Sequence, residues 1–143
     1  MADSFLLDTN ILVHFVRSDP LWHKIRFKYS LMTIDPIPTF SVVSDGELRS
    51  LAFQFSWKAA KISQMKFALG YFQRVTIDMT RILEVYATID AYTQSIGYTM
   101  GKNDLWIAAT ANATGATLLT TDRDFDILTP TFLDRIWIDP TTT

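Results

Sequence analysis

Two spacings of apolar residues share this chain. Short apolar runs bounded by turn formers read as strands, and longer stretches with apolar residues three and four apart read as helices. Strands are expected at Ser4–Asp8, Ile37–Val43, Arg74–Ile77, Thr117–Thr120 and Ile136–Ile138. Helices are expected at Ile11–Val16, Leu21–Met32, Ser44–Phe55, Trp57–Phe72, Arg81–Ile96 and Asn103–Thr114. Gly97 and Gly115 stand where the last two helices should stop, because glycine accepts the left-handed turn that closes a helix. Strands alternating with helices predict an α/β fold around a central parallel sheet of about five strands. Right-handed crossovers then cover both faces with helices, which makes three layers.

Composition bounds this picture without redirecting it. The 143 residues suit a single domain spanning 1–143, and 48% of them are hydrophobic, enough for one core. Cysteine is absent, which excludes disulfide scaffolds, thiolate zinc sites and cysteine nucleophiles and fits a cytoplasmic location. The amino terminus lacks the basic start of a signal peptide. No apolar run approaches the ~20 residues of a membrane helix. The net charge of −2 hides an asymmetry. Residues 1–74 carry nine Lys/Arg against six Asp/Glu, and residues 75–143 carry four against nine. A cationic surface beside a carboxylate pocket is one arrangement this permits.

The acids sit where such a fold gathers ligands. In open α/β sheets, ligands bind at the carboxyl ends of the strands. Asp8 ends the first expected strand, Asp122 follows the fourth, Glu47 lies in the first turns after the second, and Asp104 opens a crossover helix whose start returns to that edge. Each has an ordinary reading as well. Asp8 can cap a helix, Asp104 can favour a helix amino terminus, Asp122 can make a turn, and Glu47 can be an exposed helix residue, as Asp45 is expected to be. Together at one edge they would repel, and a divalent cation would relieve them. Oxygen ligands without thiolate or imidazole suit magnesium, manganese or calcium. Asp122–Asp126 opens like an EF-hand loop, but Ile127 and Leu133 occupy the positions of its glycine and glutamate, so a calcium loop is excluded.

At these residues the sequence resembles the PIN-domain nucleases, in particular the VapC-type toxins of bacterial toxin–antitoxin pairs. The blocks are Leu-Leu-Asp-Thr-Asn-Ile-Leu-Val at 6–13, Ser-Val-Val-Ser-Asp-Gly-Glu-Leu at 41–48, Asn-Asp-Leu-Trp-Ile-Ala-Ala-Thr-Ala from Asn103, and Leu-Leu-Thr-Thr-Asp-Arg-Asp-Phe from Leu118. They come in the family's order. The resemblance implies an α/β/α sandwich and RNA cleavage dependent on magnesium or manganese. It implies Asp8, Glu47, Asp104 and Asp122 as catalytic and metal-holding acids, with Asp124, Asn10 and Thr121 as auxiliaries. It also implies a homodimer and a small antitoxin partner. The segment 57–72 falls where relatives carry a helical clip, and there Trp57, Phe67, Tyr71 and Phe72 offer either a contact surface or core. Gly46, directly before Glu47, departs from the pattern: it either shifts Glu47 or marks a helix start. Lys24, Arg26, Lys28, Arg49, Lys102 and Arg123 are candidates for the RNA backbone. The rival readings are a non-catalytic PIN-like binding module, which would normally lack one of the acids, and a receiver-like domain, which would need a lysine where Asp122 stands.

Overall fold

The computed structural model of the protein describes residues 4–141. Five parallel strands form one sheet: β1 (Phe5–Leu7), β2 (Thr39–Ser41), β3 (Gln73–Val75), β4 (Thr117–Thr120) and β5 (Arg135–Trp137), in the order β3-β2-β1-β4-β5. Six α-helices connect them: α1 (Thr9–Arg17), α2 (Pro20–Lys28), α3 (Val42–Gln54), α4 (Ala59–Tyr71), α5 (Thr80–Ser95) and α6 (Lys102–Thr114). A 3-10 helix, Arg123–Leu128, follows β4.

The central strands β1 and β4 are buried on both faces, and their alternate residues feed two cores. Phe5, Leu7 and Leu119 pack with α1 to α4, around Ile11, Phe15, Trp22, Leu48 and Ala68. Leu6 and Leu118 pack the other way, against Ile89, Leu105, Ile107 and Phe125 from α5, α6 and the 3-10 helix. The result is the expected three-layer α/β/α sandwich. The chain builds outward from β1 to β3, then crosses back to place β4 on the other side of β1. The turning point of the topology therefore lies between β1 and β4, where open sheets leave a crevice.

Several boundaries differ from the sequence expectation, each for a local reason. The second strand does not run to Val43. Ser41 ends it by accepting the Val43 N–H with its hydroxyl, 3.1 Å away, and so starts α3 at Val42. Gly46 is thus inside a helix already under way and does not mark its start. The second helix begins at Pro20 under an Asp19 cap and ends at Lys28, short of Met32. Gly115, at φ 71°, closes α6 as expected, and Gly97, at φ 70°, lies just beyond α5.

Asp45 is the clearest correction. It is buried, not exposed, and its carboxylate takes Arg49 Nε at 2.5 Å and Arg74 Nη1 at 3.3 Å. The pair ties α3 to β3. In the 57–72 segment, Phe72 belongs to the core, edge-on to Phe15 and Trp22, so it cannot serve as contact surface. Phe67 stays half-exposed, stacked on Phe15 and Tyr71.

Candidate active site

Asp8, Glu47, Asp104 and Asp122 line one open cavity of about 730 Å³ at the carboxyl edge of the sheet. Asp8 follows β1, Asp122 follows β4, Glu47 lies on α3 and Asp104 in the first turn of α6. Asn10 and Asn103 share the lining. Asp124 stands beside it on the 3-10 helix. One carboxylate oxygen each from Asp104, Asp122 and Asp124 lie within 4.8 Å of one another.

Hydroxyl groups hold these acids in place. Asp8 is almost fully buried. Its Oδ1 accepts the Thr9 N–H at 2.8 Å, capping α1, and its Oδ2 accepts the Thr120 hydroxyl at 2.7 Å. Thr120 Oγ1 in turn accepts the Asp122 N–H at 2.9 Å. One hydroxyl therefore couples two acids from neighbouring strands. Thr9 Oγ1 lies 2.6 Å from Glu47 Oε1 and 2.8 Å from Ser44 Oγ. It has a single proton, so it donates to the carboxylate and accepts from Ser44. Asp122 Oδ1 accepts the Asp124 N–H at 2.9 Å and caps the 3-10 helix.

The cluster is electrostatically expensive as it stands. Burial pushes the Asp8 carboxyl up to about 6, against the Thr120 and Thr9 hydrogen bonds that lower it, and the charges of Asp122 and Glu47 add to the rise. Burial also pushes Asp104 up to about 7, reinforced first by Asp8 and then by Asp122, Asp124 and Glu47. Asp124 is raised by burial and by Asp122. Tyr98, whose phenol lies 3.4 Å from the Asp124 carbonyl oxygen, is raised by burial and then by Asp124, Asp122, Asp104 and Asp126. A divalent cation fits this donor set of hard carboxylate oxygens, in which the ionised forms of Asp8, Asp104 and Asp124 are penalised by the fold.

Sequence reasoning missed Thr9, Ser44 and Thr120, because nothing local marks a hydroxyl whose partner lies across the fold. Thr121, named as an auxiliary, gives its backbone carbonyl to Trp137 Nε1 at 3.0 Å, and the neighbouring Thr120 supplies the side chain to the cluster. None of the six candidate cations lines the cavity. Arg49 is paired with Asp45, Lys102 with Asp90 at 3.2 Å, and Arg123 stacks 4.1 Å from the Trp137 ring centroid. Arg26 lies over Phe27 and Lys28 over Tyr29, while Lys24 and Lys28 line a smaller groove beside β5.

Thr120→Val keeps the shape but leaves Asp8 Oδ2 without its donor and the Asp122 N–H without an acceptor. It is expected to destabilise the protein by about 1–3 kcal/mol, read by urea denaturation. An unchanged midpoint would remove Thr120 from the account.

Residues 5–129 match the family model described as the PIN domain. The chain belongs to the PIN domain family. Solved structures give this PIN domain the same fold. VapBC2 from Rickettsia felis, bound to a DNA fragment from its promoter, aligns at TM-score 0.80 and 21% identity, over 95% of this chain and 99% of that one. VapBC-1 from nontypeable Haemophilus influenzae aligns at 0.76 and 22%, over 94% and 97%. VapBC-5 from Mycobacterium tuberculosis, a member of the VapBC family of toxin–antitoxin systems, aligns at 0.70 and 20%, over 94% and 98%. A sequence search of curated proteins found no match. Among the described residues, no helix of this PIN domain is long and apolar enough to cross a membrane.

Proposed function

We propose that this PIN domain, as one domain over residues 1–143, is a divalent-metal-dependent endoribonuclease and the toxin of a VapBC-type toxin–antitoxin pair. The observation that carries the reading is the meeting of four acids, drawn from β1, α3, α6 and the end of β4, in one open cavity. Two of them have carboxyl groups raised well above the ordinary range. A bound cation would offset the repulsion that such a cluster imposes on the fold.

Asp8, Asp104, Asp122 and Glu47 would hold one or two ions, magnesium or manganese, with Asp124 assisting. When bound, the ion lowers the pKa of a water molecule and offsets charge developing on the phosphate. The protein's own part is orientation. Thr120 and the Thr9 N–H fix Asp8, and the Thr9 hydroxyl fixes Glu47. The amides of Asn10 and Asn103 line the same cavity and supply donors that the acids lack. Phosphodiester hydrolysis then needs no serine or histidine nucleophile.

The likeness to VapBC complexes supports a small antitoxin partner. We further infer a homodimer in the cytoplasm. The reading is tested by incubating the purified protein with total cellular RNA. Discrete fragments are expected with Mn²⁺ or Mg²⁺ and none with EDTA. Cleavage that persists undiminished in EDTA would count against the metal, and no cleavage under any metal would count against the nuclease.

A further inference from the structure

Gly46 lies inside α3, where glycine is less favourable than alanine. Nothing in the fold demands it. Its φ is not among the positive values of the described residues, and apart from its chain neighbours and the adjoining helix backbone no atom stands within 4 Å of where a Cβ would sit. Neither backbone conformation nor close packing therefore explains the missing side chain. What it does border is the carboxylate cavity.

The cavity continues along that same face of the helix. Gly46, Glu47, Ser50 and Gln54 all line it, at the spacing of one helical stripe. At 1.5 Å per residue, the wall runs about 10 Å from Glu47 to Gln54. It carries no lysine or arginine. Gln54 Nε2 donates to Ser50 Oγ at 2.9 Å. That leaves the Gln54 carbonyl oxygen, its second amide hydrogen and the Ser50 hydroxyl hydrogen free to meet a ligand. A neutral donor–acceptor pair suits the edge of a base better than the charge of a phosphate.

We propose that this wall of α3 is a nucleotide subsite: Gly46 leaves clearance for the sugar–phosphate chain beside Glu47, and Ser50 and Gln54 contact the edge of the adjoining base. The subsite rests on the ribonuclease reading of the acids, because a strand cut there must extend to either side of the cut bond. Single-stranded RNA is the occupant, since the wall and the acids share one continuous cavity.

The experiment compares the wild type with Gly46→Ala, Ser50→Ala and Gln54→Ala on RNA oligonucleotides randomised around the cut. Gly46→Ala should melt higher than wild type and bind Mn²⁺ equally well by titration calorimetry. Its KM should nonetheless rise about tenfold, with kcat changed by less than about threefold. Ser50→Ala and Gln54→Ala should change the preference at one nucleotide beside the cut by about fivefold or more. Wild-type KM in Gly46→Ala, together with unaltered preference in Gln54→Ala, overturns the subsite while leaving the nuclease intact. Unaltered cleavage with weakened binding of a co-expressed small partner would give the wall to a protein segment and overturn it too. A wild type that cuts no RNA in Mn²⁺ removes the ribonuclease reading, and the subsite falls with it.

Discussion

Asp104→Asn is expected to lower RNA cleavage by about a thousandfold or more, and at the same time to raise the melting temperature of the metal-free protein at pH 8. The two effects have opposite signs because they come from the same charge. Asp104 sits in the first turn of α6 and lines the acid cavity. Its carboxyl is pushed up to about 7 by burial and by the neighbouring acids, Asp8 foremost. At pH 8 it is ionised nonetheless, so the fold bears an unfavourable charge that asparagine would not carry. No side-chain hydrogen bond of Asp104 is broken among those described for the site. The favourable contribution of a carboxylate to the helix amino terminus is lost, but it is worth only about 0.3–1 kcal/mol. The melting temperature in EDTA and the cleavage rate in Mn²⁺ together separate the roles. A variant that melts lower would make Asp104 structural, and one that cleaves at the wild-type rate would sink its assignment to the site.

Asp8 shows why the ordinary readings of the acids did not compete with the functional one. It is the cap of α1, as its place at a strand–helix junction suggested, and Asp122 is likewise the cap of the 3-10 helix. Capping leaves carboxylate lone pairs free, so one residue serves both ends. What was legible in the sequence was local: the apolar runs of β1 and β4, the glycine at the end of α6, and the strand ends that hold acids. What was not legible was the partner across the chain. Thr120 meets Asp8 over a separation of 112 residues, and Thr9 meets Glu47 over 38. Asp45 looked like one more surface acid until α3 turned it inward between Arg49 and Arg74. Of the two readings of Gly46, the helix start rested on propensity alone, and Ser41 had already started the helix.

Metal-free protein should lose stability between about pH 4 and pH 7, and added Mn²⁺ or Mg²⁺ should restore it above that range. In the unfolded chain both key acids titrate near 3.8, while in the fold Asp8 titrates at about 6 and Asp104 at about 7. Below the unfolded value both states are protonated and folding carries no penalty. As the pH climbs, the unfolded chain releases its protons first, so each rise costs folding free energy until the folded groups ionise as well. Above about pH 7 the loss levels off. For Asp8 alone, which is buried, it amounts to something on the order of 3 kcal/mol. A cation that binds only the folded, ionised cluster acts in the reverse sense, by about 2.7 kcal/mol at a hundredfold excess over its dissociation constant. Urea denaturation at pH 5, 6, 7 and 8, in EDTA and in Mn²⁺, measures both. Subtracting the same series for Asp104→Asn removes the titrations that do not sense Asp104 and leaves this group together with its coupling to the neighbouring acids, Asp8 foremost. A difference that stays flat with pH in EDTA means the folded cluster does not penalise its own charge. A midpoint unmoved by Mn²⁺ at pH 8 means that the acids do not gather there to hold a cation.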